Sequence, residues 1–191
     1  TTNSETIHHL IRALTVESKL YPKIEICESL ITCGPKAIQP LVNLLGKIGT
    51  NQHKSVPEKE FKKYSYPLPR DIASRTLVRF GKSALTELEK SLNDNPVQQL
   101  SEAIDAIGFI CFYDCKPEVY GKLKLCYSKH NQNDLIKWKI IRAMSGFLDS
   151  EAFLKRQRQI ILNERLIKEI DRSLLLLKKH GALKEKNKEF R

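Results

Sequence analysis

Leu30-Ile31-Thr32-Cys33-Gly34-Pro35-Lys36-Ala37-Ile38-Gln39-Pro40-Leu41-Val42-Asn43-Leu44-Leu45 returns 47 residues later as Leu77-Val78-Arg79-Phe80-Gly81-Lys82-Ser83-Ala84-Leu85-Thr86-Glu87-Leu88-Glu89-Lys90-Ser91-Leu92. Leu30 stands over Leu77, Gly34 over Gly81 and Ala37 over Ala84, with apolar pairs at Ile38/Leu85, Leu41/Leu88 and Leu45/Leu92. The pattern predicts a helix, a glycine turn and a second helix, used twice. Two short amphipathic helices packed antiparallel leave an apolar edge on each side, which a neighbouring hairpin must cover.

Outward from this pair the periodicity stays helical. Ile24, Cys27, Leu30 and Ile31 share one stripe, as do Ile72, Ala73, Thr76, Leu77 and Phe80. Val97, Leu100, Ile104, Ile107 and Cys111 form another, and Ile140, Ile141, Met144, Phe147 and Leu148 a further one. No segment alternates like a strand. Pro22, Pro69, Pro96 and Pro117 each precede a periodic stretch, where a missing amide costs nothing. Asn95 suits an N-cap before Pro96, and Asn133 or Asp134 one before Leu135. Pro40 is compatible with a helix that starts near Lys36, because the first-turn amides are free. Phe153, Ile160, Ile167 and Leu174 fit one helix from 151 to about 179, or two helices broken near Asn163.

The pattern Leu-x-x-x-Gly-x-x-Ala-apolar-x-x-Leu resembles the HEAT repeat, in the short HEAT-like form of phycobilisome lyases. Units 22–46 and 69–93 match it closely; 96–130 and 133–163 match in outline, with Cys115-Lys116-Pro117 and Leu148-Asp149-Ser150 in place of the glycine turn. The resemblance implies an all-α fold, a right-handed α-α superhelix of about four to five hairpins in the manner of HEAT and armadillo solenoids. It implies one domain over 1–191; within it the residues themselves read as a basic insertion loop at about 47–68 and a frayed tail at about 182–191. Such solenoids grip protein partners on one curved surface lined by second helices, which here points to Gln39, Asn43, Glu87, Lys90 and Ser91.

The formal net charge is +11, and it is uneven. Residues 47–70 carry six Lys/Arg against two Asp/Glu, and 151–191 carry twelve against six. These two segments hold ten of the eleven surplus charges, a distribution suited either to an anionic partner or to solubility. The insertion has turn chemistry and no helical stripe, and loops of this length in compact domains are usually functional or disordered. It places Lys54, Lys59, Lys62 and Lys63 beside Phe61, Tyr64 and Tyr66, with Arg70 just after. A second cluster surrounds the sole tryptophan, in Lys137-Trp138-Lys139 with Arg142 at i+4. An aromatic among cations can stack a base or a side chain, or it can pack between helices.

Signals for catalysis are sparse. The chain has no P-loop, GxGxxG, HExxH or GxSxG motif. His8, His9, His53, His130 and His180 are scattered, so no metal site is expected. The five cysteines form no CxxC pair and read as small core residues. Carboxylate pairs such as Glu25/Glu28 and Glu102/Asp105 read as solvated helix faces. Some HEAT-like proteins excise alkylated bases with a basic concave surface, several aromatics and an aspartate; here only Trp138 and Asp149 correspond.

No apolar run approaches the ~18–20 residues that span a bilayer, and the polar start Thr1-Thr2-Asn3-Ser4-Glu5 lacks a signal-peptide pattern. A cytoplasmic protein with no membrane association and no cofactor is expected. The expected function is a non-catalytic protein–protein interaction scaffold favouring an acidic partner. The alternatives are nucleic-acid binding through the loop and the C-terminal surface, or an enzyme acting on a base or a tetrapyrrole.

Overall fold

The computed structural model describes residues 4–93 and 96–189, with side chains described as far as Lys179. Among the described residues every regular element is a helix: α1 (Ser4–Val16), α2 (Leu20–Thr32), α3 (Ile38–Val42), α4 (Ile72–Leu77), α5 (Leu85–Lys90), α6 (Val97–Tyr113), α7 (Glu118–Lys129), α8 (Asp134–Met144), α9 (Glu151–Ile160) and α10 (Glu164–Glu189). The chain divides into two compact units. One comprises Thr1–Gln52 and Pro69–Ile107, the other His53–Leu68 and Gly108–Arg191. No helix of the described residues is long and apolar enough to cross a membrane.

The first unit contains the repeated hairpin, and the repetition extends to the backbone. Gly34 adopts φ 77°, ψ −163° and Gly81 φ 56°, ψ −141°, a region closed to side-chain-bearing residues at low cost. Each glycine leads into 3-10 geometry that ends at a wholly buried alanine, Ala37 or Ala84, from which α3 or α5 begins. The paired apolar positions Ile38/Leu85, Leu41/Leu88 and Leu45/Leu92 are all buried. α2 packs on α1 and α4, and α3 packs on α4 and α5, so each hairpin covers its neighbour's apolar edge. Pro40 lies third in α3, after the 3-10 turn Pro35–Ala37, where its missing amide is harmless.

Asp71 organises the same unit. It caps α4 by accepting from the Ser74 amide at 2.8 Å, and its other oxygen accepts from the Gly46 amide and from Gln52 Nε2. At 1% exposure the carboxylate is spent wholly on internal donors. Glu102 and Asp105 also belong here, and they correct the expectation of a solvated face. Both are buried, because α6 presents them inward; Glu102 accepts from Gln98 and Ser101, and its main-chain carbonyl accepts from Ser74 Oγ.

The second unit is built on α7 to α10. α8 packs against α7 and α10, and α10 against α9. Asn133 caps α8 through its side chain, which accepts from the Ile136 amide. The C-terminal stripe is resolved into two helices separated at 161–163, where Asn163 turns the chain and hydrogen-bonds Asp134. Of the tail expected at 182–191, the backbone of 182–189 continues α10. The Asn95 cap falls outside the described residues. All five cysteines are free. Burial pushes the Cys126 thiol up to about 11, and burial with help from Asp134 pushes the Tyr127 hydroxyl up to about 12. Both therefore stay protonated at neutral pH, and Tyr127 Oη donates to Gln157 Oε1 at 3.0 Å.

Candidate binding cleft formed by the insertion loop and α10

Residues 53–68 form no helix or strand, yet they are held at both ends. At the start, the His53 ring meets the Trp138 indole edge-on, 5.1 Å between centroids, and Val56 is buried. At the end, Tyr66 is 3% exposed in a cluster with Phe112 and Leu176, with Phe109 beside it. Gly108 makes room for that ring: a Cβ there would lie 2.0 Å from Tyr66 Oη and 2.9 Å from the Ala143 Cβ. Between these anchors Glu58, Lys59, Glu60, Lys62, Lys63 and Tyr64 are exposed.

α10 fastens the middle of the loop with its own cations. Arg165 donates to the Val56 carbonyl at 3.2 Å and pairs with Glu58 at 3.5 Å, and Lys168 pairs with Glu60 at 3.0 Å. Arg172 donates to the Lys63 and Ser65 carbonyls and covers the Phe61 ring at 5.0 Å. Lys179 lies 3.2 Å from the centre of the Tyr64 ring. Lys54, Lys59, Lys62 and Lys63 thus belong to one unit with the C-terminal basic segment, whereas Lys47 and Arg70 belong to the other, and Arg165, Lys168, Arg172 and Lys179 are the C-terminal cations that contact the loop.

Glu169 sits at the centre of this clamp. Only 5% exposed, it accepts from Arg172 at 2.8 Å and from Arg142 at 3.3 and 3.4 Å. Arg142 stacks on Trp138, its guanidinium carbon 3.8 Å from the ring centre. Stack and ion pair together compensate an arginine that is 4% exposed.

Loop and helix enclose a cleft of about 520 Å³, lined by Pro57 to Tyr64 and by Trp138, Arg165, Lys168, Glu169, Asp171, Arg172 and Leu175. Its acids are engaged: Glu58 with Arg165, Glu60 with Lys168, Glu169 with two arginines, and Asp171 with Arg158 at 2.6 Å. Lys59, Lys62 and Lys63 have no ion-pair partner among the described residues, so three ammonium groups on one short loop are left for an anion.

The nine residues singled out in the sequence therefore separate into groups. Lys59, Lys62 and Lys63 line the cleft, and Lys54 is exposed on the same loop. Arg70 is exposed in the other unit. Lys137 is half-buried and pairs with Asp134 at 3.4 Å. Of the two alternatives for the Trp138 cluster, packing between helices is the one found: Trp138, Lys139 and Arg142 are 4%, 0% and 4% exposed, so Lys139 and Arg142 do not form a binding face. α8 packs between α7 and α10, so its cationic face is enclosed, and only Trp138 of the three lines the cleft. Among the second-helix positions Gln39, Asn43 and Lys90 are exposed and Glu87 partly so, whereas Ser91 is buried. Sequence reasoning missed Arg165, Lys168, Glu169 and Arg172. Their i, i+3, i+4, i+7 spacing was the available signal, as it puts all four on one face of α10.

Among the described residues no three His, Cys, Asp or Glu side chains are grouped to hold a metal ion. Compared with family models, curated proteins and solved structures, the chain matches none.

Proposed function

We propose that this protein is a non-catalytic interaction module of HEAT-like helix hairpins that captures a short acidic protein segment in the cleft between the insertion loop and α10. The observation that carries the reading is the lysine surplus: every acid lining the cleft has a cationic partner, and Lys59, Lys62 and Lys63 have none among the described residues. The shared backbone conformation at Gly34 and Gly81 supports the HEAT-like, solenoid part of the proposal. A cytoplasmic setting is part of the same reading, consistent with five free thiols.

An acidic peptide suits the cleft better than nucleic acid does. From Arg165 to Leu175 the wall is about 15 Å long at the helical rise, room for roughly four or five extended residues. Glu58, Glu60, Glu169 and Asp171 would oppose an unbroken run of phosphodiesters, whereas carboxylates spaced along a peptide can avoid them.

The test is fluorescence anisotropy at low salt with three labelled probes: an Asp/Glu-rich decapeptide, its Asn/Gln counterpart and a 20-nucleotide single strand. The acidic peptide is expected to bind in a salt-sensitive manner and the amide peptide not at all. Tighter binding of the oligonucleotide than of the acidic peptide would replace this reading with a nucleic-acid one.

A further inference from the structure

A second recess lies in the unit that contains the hairpin repeat. It measures about 300 Å³ and is formed by the start of α2, the turn after Ile48 and the start of α4. Its surface is aliphatic, from Leu20, Ile24, Ile48 and Ile72. Leu20 and Ile24 stand one helical turn apart and remain 64% and 40% exposed, so α2 offers an apolar edge that no described residue covers. Lys23, Arg70 and Arg75 also line the recess, and none of its lining residues is acidic.

Two acids outside the lining, Glu17 and Asp71, bear on it: the Lys19 amide, with help from the charge of Lys23, holds the Glu17 carboxyl below its usual range, and both acids accept internal hydrogen bonds. Glu17 accepts from the Ser18 and Lys19 amides at 2.7 Å, and Asp71 is enclosed by its three internal donors. Arg75 uses Nε on the Pro69 carbonyl at 3.1 Å, which fixes its guanidinium and leaves the terminal nitrogens for another acceptor. An arginine fork suits a planar carboxylate, and the aliphatic wall suits a chain attached to it.

We propose that this recess binds a small amphiphilic carboxylate, its chain on Leu20, Ile24, Ile48 and Ile72 and its head group on Arg70 and Arg75, with Lys23 supplying further positive charge. The site accounts for Arg70, whose charge the loop–α10 cleft does not use. Its volume is at the lower end of small-molecule pockets, and the pairing of one apolar wall with one cationic group selects for amphiphilicity over charge alone. The proposal concerns residues separate from the cleft, so either can fail without the other.

Methyl-resolved NMR of the full chain, titrated with sodium decanoate below its micellar range, tests this directly. Saturable one-to-one shifts are expected at Leu20, Ile24, Ile48 and Ile72. Decyltrimethylammonium and acetate are expected to bind at least about tenfold more weakly. Arg70→Glu should lower decanoate affinity about tenfold, and the exposed Leu20→Asn should do likewise, with both spectra otherwise intact. Equal binding of the cationic amphiphile, tighter binding of decyl phosphate, or shifts spread over the whole surface would overturn the carboxylate site. A concentration-dependent dimer dispersed by Leu20→Asn would overturn it too, giving the recess to a second copy of the chain.

Discussion

The hairpin pair of the first unit and the clamped loop of the second are ordered by different physics. Around Gly34 and Gly81 a local backbone requirement and a row of buried aliphatic residues are enough, and the same solution appears twice. The loop 53–68 has no periodic stripe and no internal ladder of hydrogen bonds. It is held by arginines more than a hundred residues later in the chain, through Arg165 on Val56 and Arg172 on Lys63 and Ser65. Local order of the first kind is repeatable. Order of the second kind concentrates charge at one place, and the candidate cleft is there.

The sharpest way to break this contrast is Glu169→Ala. It removes the acceptor shared by two arginines and leaves Arg142 buried without it, a loss on the order of 3–5 kcal/mol. Denaturant unfolding measures the loss, and limited proteolysis should show new cleavage within 53–68 and none around 34–38. Cleavage in both places, or in neither, would mean the loop is not held as described.

Gly108→Ala comes next. The added methyl meets the Tyr66 hydroxyl and the Ala143 methyl, so overpacking should cost roughly 1–3 kcal/mol. The effect should appear as displacement of the Tyr66 anchor, read by Tyr66 ring resonances and loop protease sensitivity. A stable variant with an unmoved Tyr66 ring would contradict the close approach.

Gly34→Ala and Gly81→Ala sharpen the other side. Nothing lies within 4 Å of a Cβ at either position, so the penalty is conformational alone, about 1–3 kcal/mol each for backbone at positive φ with ψ near ±150–180°. Equal losses, measured by thermal or chemical unfolding, are expected because the two turns share their backbone geometry. Strongly unequal losses would break the equivalence of the two hairpins.

Arg79→Ala should have the least effect. Its partner Glu28 and the guanidinium are both about half exposed, and such surface pairs contribute less than about 1 kcal/mol. Measured beside Glu169→Ala, it separates an ion pair in water from one enclosed by protein. Comparable losses from the two variants would remove that distinction.

These differences also explain what could be read in the sequence. The hairpins were legible because their causes lie within about sixteen residues: Gly34 and Gly81 at the turn, Ala37 and Ala84 three positions on, and leucines at helical spacing. The insertion was recognisable as a loop from its Gly, Pro and polar content, and its lysines as candidate ligands. That α10 fastens it was not legible, because the Arg172 contacts join residues 107 and 109 apart in the chain. The cations of α8 left two readings open for a related reason. Lys139 and Arg142 look like surface charge next to Trp138, and only packing from α7 and α10 encloses them. Charge pattern alone cannot separate a solvated cation from a buried, compensated one.

The most direct measurement is the affinity of the labelled acidic decapeptide for wild type and for K59E/K62E/K63E, with unfolding curves recorded on both proteins. The three lysines are exposed and have no ion-pair partner among the described residues, so the variant should unfold like wild type and lose peptide binding altogether. Undiminished binding by a normally folded variant would contradict the assignment of the partner to this cleft.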